Sequence, residues 1–170
     1  NLKVGLWIEF YNNSNIKSEI DFINGNGLFK EYYETGELLL KGKYINNKKN
    51  GKWEEFNIEG NKYREYYYLN DKVNSNRLAF LWYDSGYKKS EGYLMLINDK
   101  IAWDGDYIEY YENGIIYTEG SYDNGIKDGV WKEYYPNRSV KSIKYYKDGN
   151  PFGKWTFYNE NGDVVKFENY

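Results

Sequence analysis

Cysteine and histidine are absent from all 170 residues, proline occurs twice and methionine once. Without cysteine there can be no disulfide, thiol nucleophile or cysteine-ligated metal. The compartment stays open on that count, because a cysteine-free chain survives either redox environment. Without histidine the chain lacks the commonest general acid–base, the commonest zinc ligand and the usual activator of a serine nucleophile. Alanine is scarce and no segment shows helical periodicity. No apolar run approaches the ~18 residues needed to cross a bilayer. Positive charge is not in excess either: the formal net charge is −3. That argues against direct binding to nucleic acid and against an anionic membrane surface, both of which need a basic patch. Asn1-Leu2-Lys3-Val4 carries no secretory leader pattern. A chain that begins with asparagine is expected to be a processed form or a fragment. A cytoplasmic location is favoured, with export through a removed leader as the alternative.

What is present in quantity is aromatic surface. Phe, Trp and Tyr make up 21% of the residues, with 22 tyrosines and 6 tryptophans. Such side chains suit a half-wet pleated sheet, since each ring joins an apolar body to a polar tip. They recur in register. Seven copies of one unit begin at Gly5, Gly27, Gly51, Arg77, Gly105, Gly129 and Gly153. Two positions on stand Trp7, Phe29, Trp53, Ala79, Tyr107, Trp131 and Trp155. Five positions on stand Phe10, Tyr32, Phe56, Trp82, Tyr110, Tyr134 and Tyr158. Nine positions on, glycine fills five copies, and Ser14 and Arg138 fill the other two. Seventeen positions on stand Phe22, Tyr44, Tyr68, Leu94, Tyr122, Tyr146 and Tyr170. A fixed period of this size marks a repeat array rather than a globular enzyme domain.

Asn113-Gly114 and Asn161-Gly162 lie between aromatic runs and predict two-residue hairpin turns. Each copy then reads as strand, turn, strand, followed by a second polar loop such as Asp123-Asn124-Gly125. The register places each opening glycine opposite the aromatic of the last column, Phe29 opposite Gly42 and Tyr107 opposite Gly120. A ring covering a bare cross-strand glycine stabilises that position. The expected fold is all-β: one array over residues 1–170, an elongated single-layer antiparallel sheet of seven consecutive hairpins and roughly 14 strands.

The Gly-x-Trp-x-x-Tyr-Tyr-x-x-Gly core, clearest at Gly51-Lys52-Trp53, Gly129-Val130-Trp131-Lys132-Glu133-Tyr134-Tyr135 and Gly153-Lys154-Trp155, resembles the MORN repeat, and more closely its bacterial variant. The resemblance covers Gly5 to Tyr170. It implies a single-layer sheet of hairpins that serves as a scaffold for protein partners, with a role at membranes proposed for some relatives. Chains of the variant are often described as antitoxin-like. The family has no catalytic residues to carry over, and its repeats lie outside the catalytic domains of the lipid kinases and lysine methyltransferase that they accompany.

Other constellations have bland readings. Glu9, Glu31, Glu55, Glu109 and Glu133 form a column at the fifth position of five copies. Paired carboxylates can cleave glycosides, but repetition suits a cross-strand-paired column better, with Lys30 and Lys132 as charge partners. Asp123, Asn124 and Asp128 lack the ligand spacing of a calcium loop and suit turns. No metal or other cofactor is called for. The fourth copy departs from the pattern, and beside it lie Tyr93-Leu94-Met95-Leu96-Ile97 and Ile101-Ala102-Trp103, which read first as packing across neighbouring hairpins. If this copy is instead a partner-binding kink, the contact patch is Trp82, Tyr83, Tyr93, Met95 and Trp103. The expected function is a non-catalytic protein-interaction scaffold or binding module, an antitoxin- or inhibitor-type protein being one version. The alternative is a module that stacks glycans or lipid head groups on its aromatics. Free edges at the first and last hairpins favour a protein partner through strand addition and also allow an edge-to-edge homodimer.

Overall fold

A computed structural model describes residues 1–98 and 100–170. It divides into two compact units, Asn1–Gly86 and Tyr87–Tyr170. The first carries β1 (Gly5–Phe10), β2 (Ile16–Phe22), β3 (Gly27–Tyr32), β4 (Leu38–Ile45), β5 (Lys48–Phe56), β6 (Lys62–Leu69), the short β7 (Lys72–Val73) and β8 (Leu78–Trp82). The second carries β9 (Lys88–Ile97), β10 (Lys100–Tyr110), β11 (Ile116–Asp123), β12 (Ile126–Tyr134), β13 (Val140–Lys147), the short β14 (Asn150–Pro151), β15 (Lys154–Tyr158) and β16 (Val164–Asn169). Within each unit the strands pair antiparallel in chain order, with β7 and β14 as side pieces on β6 and β13. No helix occurs among the described residues. The fold is therefore all-β and built of consecutive hairpins, as the period demands.

The expected cross-strand register holds. Gly5 faces Phe22, Gly105 faces Tyr122 and Gly129 faces Tyr146; Phe29 faces Gly42 and Tyr107 faces Gly120. The turns that set it differ from expectation. At Asn113-Gly114 the Tyr111 N–H bonds to the Ile115 carbonyl and the Gly114 N–H to the Tyr111 carbonyl. Only Gly114 has positive φ, 81°. This is a three-residue loop with a left-handed third residue, not a two-residue turn. Each such loop is followed by a bulge, between Glu109 and Tyr110 in this copy. The bulge absorbs the extra residue, and the register comes out as if the turn were two residues long. The two-residue turns are found instead between copies, where Asn46-Asn47, Asn70-Asp71, Asn124-Gly125 and Asp148-Gly149 have positive φ at both positions. Asparagine and aspartate reach that region more easily than other side chains do.

The source of the ring over each glycine also corrects the expectation. A Cβ built on Gly42 would lie 2.1 Å from Cδ2 of Trp53, and one on Gly120 would lie 2.3 Å from Cδ2 of Trp131. The covering indole comes from the following copy, not from the cross-strand partner inside the hairpin. The third and sixth copies thus bury their first aromatic on the strand before them. Trp53 is wholly buried and Trp131 2% exposed. Tyrosines tie neighbours further. The Tyr11, Tyr33, Tyr111 and Tyr135 hydroxyls donate to the carbonyls of Tyr32, Phe56, Tyr134 and Tyr158 at 2.6, 2.9, 2.7 and 2.9 Å.

Candidate functional site

Side-chain alternation gives each sheet two unlike faces. One carries the columns of the first aromatic, the glutamate and the last aromatic, which hold six, five and six such residues in seven copies. In three copies a lysine two residues before the opening glycine completes it. Lys3 lies 4.9 Å from the ring of Trp7, Lys49 4.5 Å from Trp53 and Lys127 4.0 Å from Trp131. The negative ring face attracts each ammonium. Burial, with Lys144 nearby, pulls the Lys127 ammonium below its ordinary pKa. In the fifth copy Trp103 takes the lysine's place and stacks on Tyr107 at a centroid separation of 5.0 Å.

The opposite face carries ion pairs, and here one expectation fails. Lys30 and Lys132 do not serve the glutamate column. They pair with Glu19 at 3.1 Å and Glu119 at 3.6 Å, because adjacent residues of a strand point to opposite faces. The column finds other partners: Arg64 at 3.2 Å for Glu55, Lys144 at 2.5 Å for Glu133, and the Tyr107 hydroxyl at 3.2 Å for Glu109. The Tyr32 hydroxyl and Lys30 hold the Glu19 carboxyl below its ordinary range. Burial raises Glu54, but hydrogen bonds from Lys41 and Lys62 outweigh it and leave that carboxyl depressed. Tyrosines against carboxylates move the other way. Burial, then the Glu119 bond, pushes the Tyr134 phenol up to about 12, and Glu91 does the same for Tyr110.

In the inter-copy loops, Asn124 belongs to a two-residue turn, and its N–H donates to Asp104 Oδ1 at 3.0 Å. Asp128 Oδ1 accepts the Asp148 N–H at 3.4 Å. These side chains are engaged in tying one loop to the next.

The sequence-selected patch divides between the units. Trp82 and Tyr83 belong to the first and are half-buried. Lys62 Nζ sits 4.1 Å above the Trp82 ring. In the second unit, β9 buries Ser90, Gly92 and Leu94 on one face and turns half-buried Tyr93 and Met95 to the other. Trp103 pairs with Leu94 and so shares its face. Tyr93 and Met95 therefore come together, and Trp103 lies behind them.

The largest concentration of exposed apolar side chains is elsewhere, on the first hairpin. Leu2, Val4, Leu6, Trp7, Ile8 and Phe10 are all exposed. Among the described residues no strand lies on the outer side of β1, so nothing covers Trp7 as β4 covers Trp53. Trp7 is 51% exposed, against 0% for Trp53. A cavity of about 470 Å³ opens beside it, lined in part by Lys3, Trp7, Glu9, Ser18 and Phe22. Sequence columns alone hid this site, because Trp7 occupies the same column as the buried rings. The missing signal was that each ring is buried by the preceding copy.

No curated protein matches the chain. The pattern of the MORN repeat variant matches residues 3–24, 26–46, 103–124 and 127–148. These are the first, second, fifth and sixth copies, just over half of the chain. The third copy, around Gly51, keeps the same register, with Gly51 opposite Tyr68 and a bulge after Glu55. On these matches the chain belongs to the MORN repeat variant family, whose repeats are generally protein- or lipid-binding modules without catalytic residues.

Proposed function

We propose that this chain is a non-catalytic protein-binding module. The observation that carries the reading is the exposed apolar surface of the first hairpin, where Leu6, Trp7, Ile8 and Phe10 all reach solvent. The net charge of −3 further favours a protein over an anionic bilayer. An inhibitor- or antitoxin-type protein, which blocks the partner it holds, is one form of this reading. The half-exposed Tyr93 and Met95 surface of the second unit is the competing contact.

The test compares wild type with a Leu6→Lys/Ile8→Lys variant, since charges there oppose burial of that surface against a partner. A partner retained by wild type, lost in the variant and slowing amide exchange in β1 supports the reading. Activity of that partner, free and bound, decides whether it is inhibited. A partner held by the Leu6→Lys/Ile8→Lys variant but released by Tyr93→Ser/Met95→Ser moves the site to the irregular copy. Binding to phosphatidylserine vesicles or glycans, with no protection in β1, replaces the reading with the alternative.

A further inference from the structure

Two departures from the repeat fall on one cavity of the second unit. Nine positions after the opening residue, glycine fills five copies, Ser14 the first and Arg138 the sixth. Ten positions after it the residue is polar in five copies: Asn15, Glu37, Asn61, Ser139 and Asp163. Tyr87 takes that place in the fourth copy and Ile115 in the fifth. The hairpin loops of the fifth and sixth copies lie side by side, tied by the Tyr111 hydroxyl, which donates to the Tyr134 carbonyl at 2.7 Å. Ile115 and Arg138 thereby meet at a cavity of about 360 Å³, lined by Gly114, Ile115, Ile116, Tyr134 and Arg138. The Tyr134 hydroxyl is already given to Glu119 at 2.6 Å, and Glu119 to Lys132 at 3.6 Å. Arg138 is not engaged in this way. Among the described residues its guanidinium makes no ion pair and no hydrogen bond. Its backbone stands at φ 72°, a conformation that glycine takes freely and arginine does not. The loop that carries it is nevertheless fixed: Asn137 Oδ1 accepts the Ser139 N–H at 2.9 Å, and Asn137 Nδ2 donates to the Glu160 carbonyl at 3.2 Å.

We propose that this cavity binds a small apolar carboxylate, with its aliphatic or aromatic body against Ile115, Ile116 and the Tyr134 ring and its carboxylate on the Arg138 guanidinium. The one unpaired charge at the cavity is positive, and the planar fork of a guanidinium matches a carboxylate in two parallel hydrogen bonds. Cavities of roughly 300–1,000 Å³ suit single small ligands, and this one lies near the lower end. An amine would meet like charge. A polyol would lay hydroxyls against the isoleucines without partners for them. The equivalent pairs of positions elsewhere are Asn15 with Gly36, Glu37 with Gly60 and Ser139 with Gly162. None of these supplies both an apolar wall and a cation, so the chain is expected to hold one such site. It belongs to the second unit alone and does not depend on the apolar surface of the first hairpin.

The experiment titrates the full chain with phenylbutyrate, indoleacetate and octanoate, each beside the alcohol and the amine of the same skeleton, and reads amide NMR shifts. The expected result is saturable shifts from at least one acid, concentrated at residues 114–116, 134 and 138. Its alcohol and amine should bind at least about fivefold more weakly, since a charge-assisted pair is lost. Arg138→Gly and Ile115→Asn each install a residue that other copies carry at that position, so both variants keep the fold. Each should weaken the acid at least about fivefold. The urea midpoint of Arg138→Gly should not fall, which separates loss of the ligand from loss of structure. No saturable shift from any of the acids overturns the proposal, as does equal binding of an amine or full affinity in Arg138→Gly. A protein partner released by Arg138→Gly, where the free acids fail to bind, also overturns it and assigns the arginine to that partner. None of these failures touches the protein-binding reading of the first hairpin, which the Leu6→Lys/Ile8→Lys variant tests separately.

Discussion

Replacing Gly42 by alanine tests the claim that each copy is held by the indole of the next. The added methyl would stand 2.1 Å from Cδ2, 2.2 Å from Cε2 and 2.6 Å from Cε3 of Trp53, where ordinary contact begins at 3.4 Å. Trp53 cannot slide away freely. Its ring is wholly buried, with Phe29 at 5.6 Å, Tyr44 at 5.7 Å, Tyr68 at 5.5 Å and the Lys49 ammonium at 4.5 Å. Either the ring is pushed partly into solvent or the strand backs away. Overpacking of a tight site costs about 1–3 kcal/mol, and complete loss of a buried Trp about 3–5 kcal/mol. A value of about 3 kcal/mol follows, which for a chain of this size lowers Tm by roughly 6–12 °C. Thermal and urea denaturation, followed by tryptophan fluorescence and circular dichroism, measure it. The double variant Gly42→Ala/Trp53→Leu supplies the control: with the indole gone, alanine at 42 should cost under ~1 kcal/mol relative to Trp53→Leu alone, a coupling that only direct contact produces. A neutral Gly42→Ala, or equal costs in both backgrounds, would refute the packing argument.

Arg138 holds φ at 72° in the loop position that five copies give to glycine, so Arg138→Gly should stabilise the chain by ~1 kcal/mol, seen as a higher urea midpoint. Tyr111→Phe removes the 2.7 Å bond to the Tyr134 carbonyl and should cost ~1 kcal/mol by the same assay, while Tyr117→Phe, which loses no such rung, serves as reference. Alkaline titration exposes the phenols held against carboxylates. Tyr63, Tyr110 and Tyr134 are each raised to about 12, chiefly by burial and then by the neighbouring glutamate. Their contribution is complete below the ordinary tyrosine value and is lost as pH rises through the folded value. Tyrosinate absorbance should therefore lag between about pH 10 and 12 and then rise together with unfolding, whereas independent titration near 10 would contradict the pairing.

The register was legible before any coordinates because it is a period-two property fixed by the aromatic columns and the glycines opposite them. The turns were not, and the error left the register untouched, since a third loop residue and a bulge cancel. Asn-Gly, the usual mark of a two-residue turn, labels both kinds of loop here: Asn113-Gly114 ends a three-residue loop, whereas Asn124-Gly125 forms the tight turn. Only the hydrogen bonds distinguish them. The ion pairs were misassigned for a related reason. Lys30 and Lys132 are sequence neighbours of Glu31 and Glu133, and sequence adjacency in a strand means opposite faces.

The sequence reading expected the edges of the first and last hairpins to invite a partner, but the exposure of Trp7 escaped it because a column treats all its members alike. Trp7, Trp53 and Trp131 are equivalent residues in equivalent copies, yet one is half-exposed and the others are buried. The difference is not in the repeat but in its surroundings: β4 and β11 lie against Trp53 and Trp131, and among the described residues no strand lies on the outer side of β1. Stability in such an array is largely a nearest-neighbour quantity, so each hairpin carries an acceptor surface for the one before it. The irregular copy, with Ala79 in place of a ring and Trp103 in place of a lysine, draws the eye precisely because its residues differ. At β1 the residues are ordinary and only their surroundings differ. Trp53→Ala, which empties a wholly buried site over Gly42, should therefore lower the urea midpoint far more than Trp7→Ala, which removes a ring already 51% exposed.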